Sequence, residues 1–340
     1  MPNVLASLVE PAFGILGDSG RRRPIVLGGG LVFAAAIGGV ALANGFPFLL
    51  LVFVIGAPAS GAFVSLSQAS LMDLDPSGHD RSMARWAVAG SFGALAGPLV
   101  LAASASLGLG WRWLMAALGA AAIPLVLAAR PIRFEPAGER RAVSATLRGA
   151  VRALRRWEVV RWLVLLEATD LLGDVLYGFV ALYFVDVVKV DPVVAGLAVV
   201  VLGASGMAGD VLLLPLLARV DGIRYLRVSA VLVTLVFPAF LLVHGTGAKL
   251  VLLALLGLLR AGWYAIPQGR LFTAMAGSSG TAIALSNVSG LLGHLAPLAI
   301  GALAERVGLA SAMWVLLLAP VALVLGLPSP VGSRGSTRPR

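Results

Sequence analysis

The chain has 340 residues, 59% of them hydrophobic and 12% charged, with a formal net charge of +10. This composition, with a mean hydropathy of +0.96, excludes an ordinary soluble domain and indicates a polytopic helical membrane protein. The lack of cysteine excludes disulfides, thiol catalysis and cysteine metal sites. The basic residues lie between hydrophobic spans and not in one patch, so they indicate orientation in a membrane and argue against nucleic-acid binding.

Eleven apolar segments are candidates for membrane-spanning helices, because lipid leaves the backbone few other ways to satisfy its hydrogen bonds. They cover about residues 1–17, 24–43, 46–70, 84–104, 112–130, 161–185, 193–217, 227–244, 250–272, 281–303 and 310–327. If alternate loops are cytosolic, 21 basic residues lie inside and four outside, the four being Arg112, Lys189, Lys249 and Arg306. We therefore expect a multi-pass protein of the cytoplasmic (inner) membrane with a cytosolic C-terminus.

The longest non-apolar stretch divides the chain. We expect a five-span N-terminal half at 1–130, a cytosolic linker at 131–160, a six-span C-terminal half at 161–327 and a basic disordered tail at 328–340. In the linker, apolar residues recur at i, i+4 and i+7 beside four arginines, the pattern of a helix lying on an anionic membrane surface. The apolar residues are Leu147, Val151 and Leu154, and the arginines are Arg148, Arg152, Arg155 and Arg156.

The stretch GILGDSGRRR after the first span places Gly14 four residues before Asp18, followed by Gly20 and the basic pair Arg21 and Arg22. Gly14 permits close helix approach, and Asp18 can pair with an arginine or cap a neighbouring helix. The stretch resembles the signature loop between the second and third helices of the major facilitator superfamily. The resemblance implies a truncated twelve-helix fold of two pseudo-repeated halves with the substrate site between them, and the family's first helix missing upstream.

The fourth span contains Gly93-x-x-x-Gly97, which lets another helix approach closely, followed by Pro98, which we expect to bend the helix. This run is similar to the glycine and proline motif in the fifth helix of drug and proton antiporters of that superfamily, and so implies export. An internal echo fits two parallel halves, because the Gln68–Leu71 run recurs as Gln268–Leu271, 200 residues later.

The span from Arg161 to Phe184 carries Glu167, Asp170, Asp174 and Tyr177 on one face of a helix. Such a stripe cannot face lipid, so we expect it to line a water-filled path or to meet a cation, the alternative being an interhelical polar clamp.

The cation that we expect opposite this stripe is Arg260 in span 250–272. At 1.5 Å per residue it lies about 15 Å below the outer surface, at the depth of the two aspartates, and we expect it to pair with Asp174 or Asp170.

Other polar residues in the spans are candidates for substrate contacts. Trp263 and Tyr264 can stack on an aromatic or cationic substrate or serve in packing, and the Gln68 and Gln268 amides can bind substrate. Asp210, Asn287 and His294 are second-rank candidates, because a lone polar residue in a bundle is more often a satisfied interhelical contact. Glu10, just before Pro11, could line a cavity or mark a kink.

The leading hypothesis is a monomeric secondary transporter that exports a small molecule in exchange for protons by alternating access, with no cofactor and no metal. Protonation of Glu167, Asp170 or Asp174 would switch their pairing with Arg260. Alternatives are an uptake symporter, a non-transporting fragment and, last, an intramembrane metal-dependent enzyme built on Asp73, Asp75, His79 and Asp80. The chain has no HExxH motif and only three histidines, so we expect no enzyme.

Overall fold

The computed structural model describes residues 2–132, 134, 142–293 and 295–328, and these ranges form helices joined by turns, with no strand. Part of the predicted linker, His294 and nearly all of the predicted tail lie outside them. The helices are α1 (Pro2–Leu16), α2 (Arg22–Ala41), α3 (Phe46–Leu74), α4 (His79–Ser106), α5 (Trp111–Ala128), α6 (Val143–Ala153), α7 (Trp157–Asp186), α8 (Pro192–Leu216), α9 (Gly222–Leu242), α10 (Thr246–Leu259), α11 (Ala265–Ala274), α12 (Ser279–Gly293), α13 (Ala296–Val307), α14 (Leu309–Ala312) and α15 (Leu318–Gly326). A π-helical turn, Gly17–Arg21, joins α1 to α2, and a 3-10 turn, Met313–Leu317, precedes α15.

Eight helical runs in the described residues are long and apolar enough to cross a membrane, so the predicted helical membrane class is confirmed while the count of eleven spans is not. The first two predicted spans form one run, Ala6–Ala41, across a kink at Gly20, where φ is +89°. The thirty-residue helix α7, which carries the acidic stripe, is not among the eight. The predicted span 250–272 is not one helix.

That span breaks in the middle, between α10 and α11. Gly262 adopts a φ of +72°, a conformation that side chains disfavour, and the backbone turns there before α11 begins. The apolar run continues across the break, so hydrophobicity alone predicts an unbroken helix. The break leaves Arg260 at the carboxyl end of α10, where the helix dipole favours a cation.

The chain folds into two compact units. The first consists of Met1–Glu167 and Pro267–Ala296, and the second of Ala168–Ile266 and Pro297–Arg340. The halves predicted from the sequence, 1–130 and 161–327, are each continuous in the chain, whereas each of these units combines two separate stretches. The division into those two halves stays a prediction. In the first unit, α2 packs on α3 and α5, and α1 packs on α12 and α3. Small residues allow these approaches: a Cβ atom on Gly14 would clash with the carbonyl oxygen of Gly280.

In the second unit, α8 and α9 pack on α10, and α15 packs on α9. Lys249, expected in an outer loop, is only 6% exposed. Its ammonium donates to the Tyr183 hydroxyl at 2.9 Å and to the Phe240 carbonyl at 2.7 Å, and lies 5.1 Å from the centroid of each ring. Burial of this cation is possible because carbonyl and aromatic groups replace its water.

The helix break generates a prediction about Gly262. A Cβ atom there would lie 2.5 Å from Leu213 Cδ2 and would occupy an unfavourable φ. We expect Gly262→Ala to lower the free energy of unfolding by about 1–3 kcal/mol, measured by thermal or denaturant unfolding in detergent. The control is Gly247→Ala in α10, where a Cβ atom meets nothing within 4 Å of it. Equal stability of the two variants would contradict the strained turn.

Candidate functional site

A buried ion-pair network surrounds Arg22, whose side chain is fully buried. One guanidinium nitrogen, Nη1, donates to Asp73 Oδ2 at 2.6 Å, and Nη2 donates to Asp18 Oδ1 at 2.9 Å and to Ser279 Oγ at 2.8 Å. Ser279 Oγ donates in turn to Asp73 Oδ2 at 2.7 Å. We call Asp18, Arg22, Asp73 and the Ser279–Thr281 run the Arg22 junction.

Asp18 also caps the amino end of α12. Its Oδ1 accepts the backbone N–H of Gly280 at 2.9 Å, and its Oδ2 accepts the N–H and the hydroxyl of Thr281 at 2.7 and 2.6 Å. The two N–H groups are orphan donors of a helix start, where the dipole favours an anion. Asp18 therefore does both things that its sequence context predicts: it pairs with an arginine and caps a helix. Arg21, by contrast, is exposed.

The glycines of α4 differ from the prediction. A Cβ atom on Gly93 or Gly97 would meet no atom of the described first unit within 4 Å, so the close helix contact expected there is absent. Pro98 lies inside α4. Glycine spacing alone does not require a partner, because a GxxxG pattern permits an approach without enforcing one. The role of Gly93, Gly97 and Pro98 in conformational change stays a prediction.

The acids and histidine of the enzyme hypothesis have separate partners. Asp73 belongs to the Arg22 junction, Asp75 accepts from Ser77, His79 bonds Thr273 through Nδ1, and Asp80 pairs with Arg270 at 2.8 Å. No group of three or more potential metal ligands occurs in the described ranges. The four residues are therefore close in the chain, but their side chains bond to different groups.

A second polar contact in the first unit joins α1 to α12. Asn287 Nδ2 donates to Glu10 Oε2 at 2.8 Å, and Gly61 of α3 lies directly against the Glu10 carboxylate. Glu10 is inside α1, not at a kinked helix end, and lies eight residues, about 12 Å, along the helix from Asp18. The Glu10 contact therefore lies within α1, separate from the Arg22 junction.

The two glutamines are buried. Gln68 Nε2 contacts Met83 Sδ at 3.2 Å, and Gln268 Oε1 accepts from Ser286 at 3.2 Å. Gln268 is fully buried, and its Nε2 has no hydrogen-bond partner in the described part of the chain. An unsatisfied buried amide is costly, and no group in the described residues offsets that cost at Gln268.

The acidic stripe of α7 divides between the two units. Glu167 belongs to the first, where a Cβ atom on Gly293 would lie 2.6 Å from its Oε2, so only glycine leaves room for this carboxylate. Asp170, Asp174 and Tyr177 belong to the second. Asp174 and Tyr177 are exposed, and Asp170 is half-buried.

In the second unit, Arg260 reaches the stripe. Its Nη1 donates to the carbonyls of Gly173 at 3.1 Å and Leu172 at 3.4 Å. The carboxylates that act on its charge are those of Asp174, Asp210 and Asp170, in decreasing order. We call these three aspartates with Arg260 the Arg260 cluster. Arg260 thus donates to backbone carbonyls of α7 and feels the charge of three aspartates, while its pairing with Asp174 or Asp170 stays a prediction.

The aromatic candidates separate. Trp263 is 2% exposed, and its indole Nε1 donates to Ser229 Oγ at 3.0 Å, so it packs inside the second unit. The turn at Gly262 directs it inward. Tyr264 is 41% exposed and stays a candidate. The Tyr177 hydroxyl lies over Gly203, where a Cβ atom would be 3.1 Å away.

Sequence reasoning underrates three residues. Glu10 and Asp210 are single acids within apolar runs, and that signal alone justifies a higher rank. The sequence analysis groups Asp73 with the nearby Asp75, His79 and Asp80. Its bonding partners are instead Arg22 and Ser279, which lie 51 and 206 residues away.

The Arg22 junction generates a prediction. We expect Arg22→Ala to lower the free energy of unfolding by about 3–5 kcal/mol, because Asp18 and Asp73 would be left as uncompensated buried charges. The measurement is unfolding of the purified protein in detergent. The adjacent Arg21→Ala removes the same charge from an exposed position and should change stability by no more than about 0.5 kcal/mol. Similar losses in both variants would show that Arg22 does not organise the junction.

Known proteins resemble this chain in sequence and in fold. The family model of the Major Facilitator Superfamily matches residues 2–297. No curated protein matches significantly.

Among solved structures, the transporter FucP in the outward conformation superposes with a TM-score of 0.77 over 96% of this chain and 87% of its own, at 13% identity. FucP is the E. coli fucose:proton symporter. The human organic anion transporter MFSD10 gives 0.70 over 96% and 82% at 18% identity. The proton:xylose symporter XylE gives 0.69 over 95% and 83% at 15% identity. Family and neighbours are transporters and not enzymes. The chain belongs to the Major Facilitator Superfamily.

Proposed function

We propose that the protein is a proton-coupled secondary transporter of a small molecule that works by alternating access as a monomer in the cytoplasmic membrane, with its C-terminus in the cytosol. The Arg260 cluster carries this proposal. Three aspartates lie near one cation there, so the cluster can take up a proton and still keep a carboxylate near Arg260. Asp174 is exposed, which gives a proton or a substrate access to it.

Protonation changes what Arg260 can bind. When Asp174 is neutral, the guanidinium keeps its carbonyl contacts on α7 and gains capacity for an anionic or hydroxylated substrate group. When a substrate leaves, the ionised carboxylate can pair with the arginine again. Protonation of the aspartates and binding of substrate at Arg260 would thereby depend on each other. Such dependence is required for coupling the movement of protons to that of substrate. Glu167 can serve as a further proton-binding group on the same helix.

Export is the leading direction, on the resemblance of the Gly93–Pro98 run to antiporters. Uptake is the second candidate, since FucP and XylE are both described as proton symporters. Arg260 suits either direction. Fucose, xylose and organic anions are the first substrate classes to test, followed by cationic toxic compounds, for which the aspartates provide the charge.

The experiment measures proton movement in proteoliposomes with an internal pH dye. We expect at least one compound from that panel to change the internal pH, and we expect Asp170→Asn with Asp174→Asn to reduce this response by about tenfold or more, because the cluster can no longer gain and lose charge. The direction of the pH change relative to the substrate gradient distinguishes exchange from symport.

The matched control is Glu158→Gln in the first turn of α7, an exposed acid on the same helix that has no contact with Arg260. It should keep the wild-type response. A full response in the double Asn variant would remove the Arg260 cluster as the coupling site, and a panel that moves no protons at all would contradict proton coupling.

A further inference from the structure

An open cavity of about 690 Å³ lies within the second unit, at the carboxyl end of α7. Phe179 and Leu182 of α7 line it, together with Gly301 and Ala304 of α13 and Leu309 at the start of α14. The α13 residues are small and leave room beside the Phe179 ring, whose Cζ would lie 3.9 Å from a Cβ atom on Gly301. A cavity of this volume with a mainly apolar wall is typical of sites for drug-sized organic molecules.

The charged side chains of the cavity wall are both acidic. Asp186 ends α7 and Glu305 lies in the last turn of α13, and both are exposed. Neither carboxylate has a hydrogen bond or an ion pair within residues 2–132, 134, 142–293 and 295–328. Lys189 and Arg306, the basic residues nearest to them in the chain, do not line the cavity. The described wall therefore carries two carboxylates and no cation that would balance them.

The ends of two helices add to this negative potential. Helix α7 ends at Asp186 and α13 at Val307, and Gly308, directly after α13, also lines the cavity. The carboxyl end of a helix carries a partial negative charge on its last carbonyl groups and favours a nearby cation. Two helix ends and two carboxylates thus attract positive charge to the same space.

This cavity is separate from the Arg260 cluster. Asp186 lies twelve residues, about 18 Å, along α7 from Asp174. No aspartate of the Arg260 cluster lines the cavity, and neither does Arg260 itself. A ligand in the cavity would therefore be held by different groups from those that the transport proposal uses.

We propose that this cavity binds a monovalent organic cation with an apolar body. The charge lies near Asp186 and Glu305, and the apolar body packs against Phe179 and Leu182, whose aromatic partner also attracts a cation to its ring face. A divalent metal ion would need about six oxygen ligands and would leave the apolar wall unused, and an anion would meet only negative charge. The proposal goes beyond the transport proposal, because it does not require that the bound cation is transported.

The test measures binding of tetraphenylphosphonium, a rigid apolar cation, to the full-length protein in neutral detergent micelles by equilibrium dialysis, with protein-free micelles as the blank. Tetraphenylborate has the same shape with the opposite charge, and tetramethylammonium has the same charge without the aryl groups. We expect saturable binding of tetraphenylphosphonium and at least about tenfold weaker binding of the other two ions. Equally tight binding of tetraphenylborate or of tetramethylammonium would overturn the proposal.

Two sets of variants locate the bound cation. Asp186→Asn with Glu305→Gln keeps the volume of the cavity and should raise the Kd of tetraphenylphosphonium by about fivefold or more, because two partly solvated charge interactions are lost. Ala304→Phe keeps both acids, fills the cavity and should abolish saturable binding, while its thermal unfolding midpoint reports whether it is folded. An unchanged Kd in the double variant would overturn the proposal even if Ala304→Phe failed to fold.

The matched control is Glu158→Gln, which removes an exposed acid from the opposite end of α7 and should keep the wild-type Kd. Asp170→Asn with Asp174→Asn should also keep it, so this measurement is independent of the transport experiment. Weaker binding in Glu158→Gln would show a diffuse charge effect. Weaker binding in the Asp170 and Asp174 variant alone would place the cation at the Arg260 cluster. Either result would contradict a site at the end of α7.

Discussion

The desolvation of Arg22 is the constraint on which the first unit depends. A guanidinium without exposed surface is tolerable only when carboxylates and hydroxyls replace its water. The groups that do so come from the Asp18 turn, the end of α3 and the start of α12, and Ser279 lies 257 residues from Arg22 in the chain. This network fixes where α12 begins, and the missing Cβ atoms of Gly14 and Gly280 let α1 approach it closely enough.

Arg260 meets the same constraint in a different way. Its Nη1 donates to backbone carbonyls of α7. Of the three aspartates near it, Asp174 is exposed. The Arg22 junction is largely buried and its carboxylates, hydroxyls and backbone amides are hydrogen-bonded, so a change of protonation there would break packing. The Arg260 cluster is open and has surplus carboxylates. It can therefore change its charge at lower cost, which is the physical reason for assigning coupling to it.

Local sequence patterns predict what depends on local geometry. Helical periodicity places Asp170 and Asp174 on one face, and the spacing of Gly14 and Asp18 predicts both a close approach and a cap. Local patterns do not predict partners that are distant in the chain, since nothing in the sequence near Asp18 indicates that it bonds Thr281. The break at Gly262 escapes prediction because hydropathy stays high across it. The α4 glycines show another limit, because their pattern permits a helix contact that the described residues of the first unit do not make.

The two acid sites near the middle of the helices respond differently to protons. Asn287 is uncharged, and an amide can donate to a carboxylate or accept from a carboxylic acid, so the Glu10 contact can persist in either protonation state. An arginine can only donate, so a newly protonated aspartate loses most of its attraction for Arg260. A proton entering the first site therefore changes little in the surrounding contacts. A proton entering the second weakens the electrostatic attraction on a charged side chain at a helix break, and such a change can alter the packing of α7, α8 and α10.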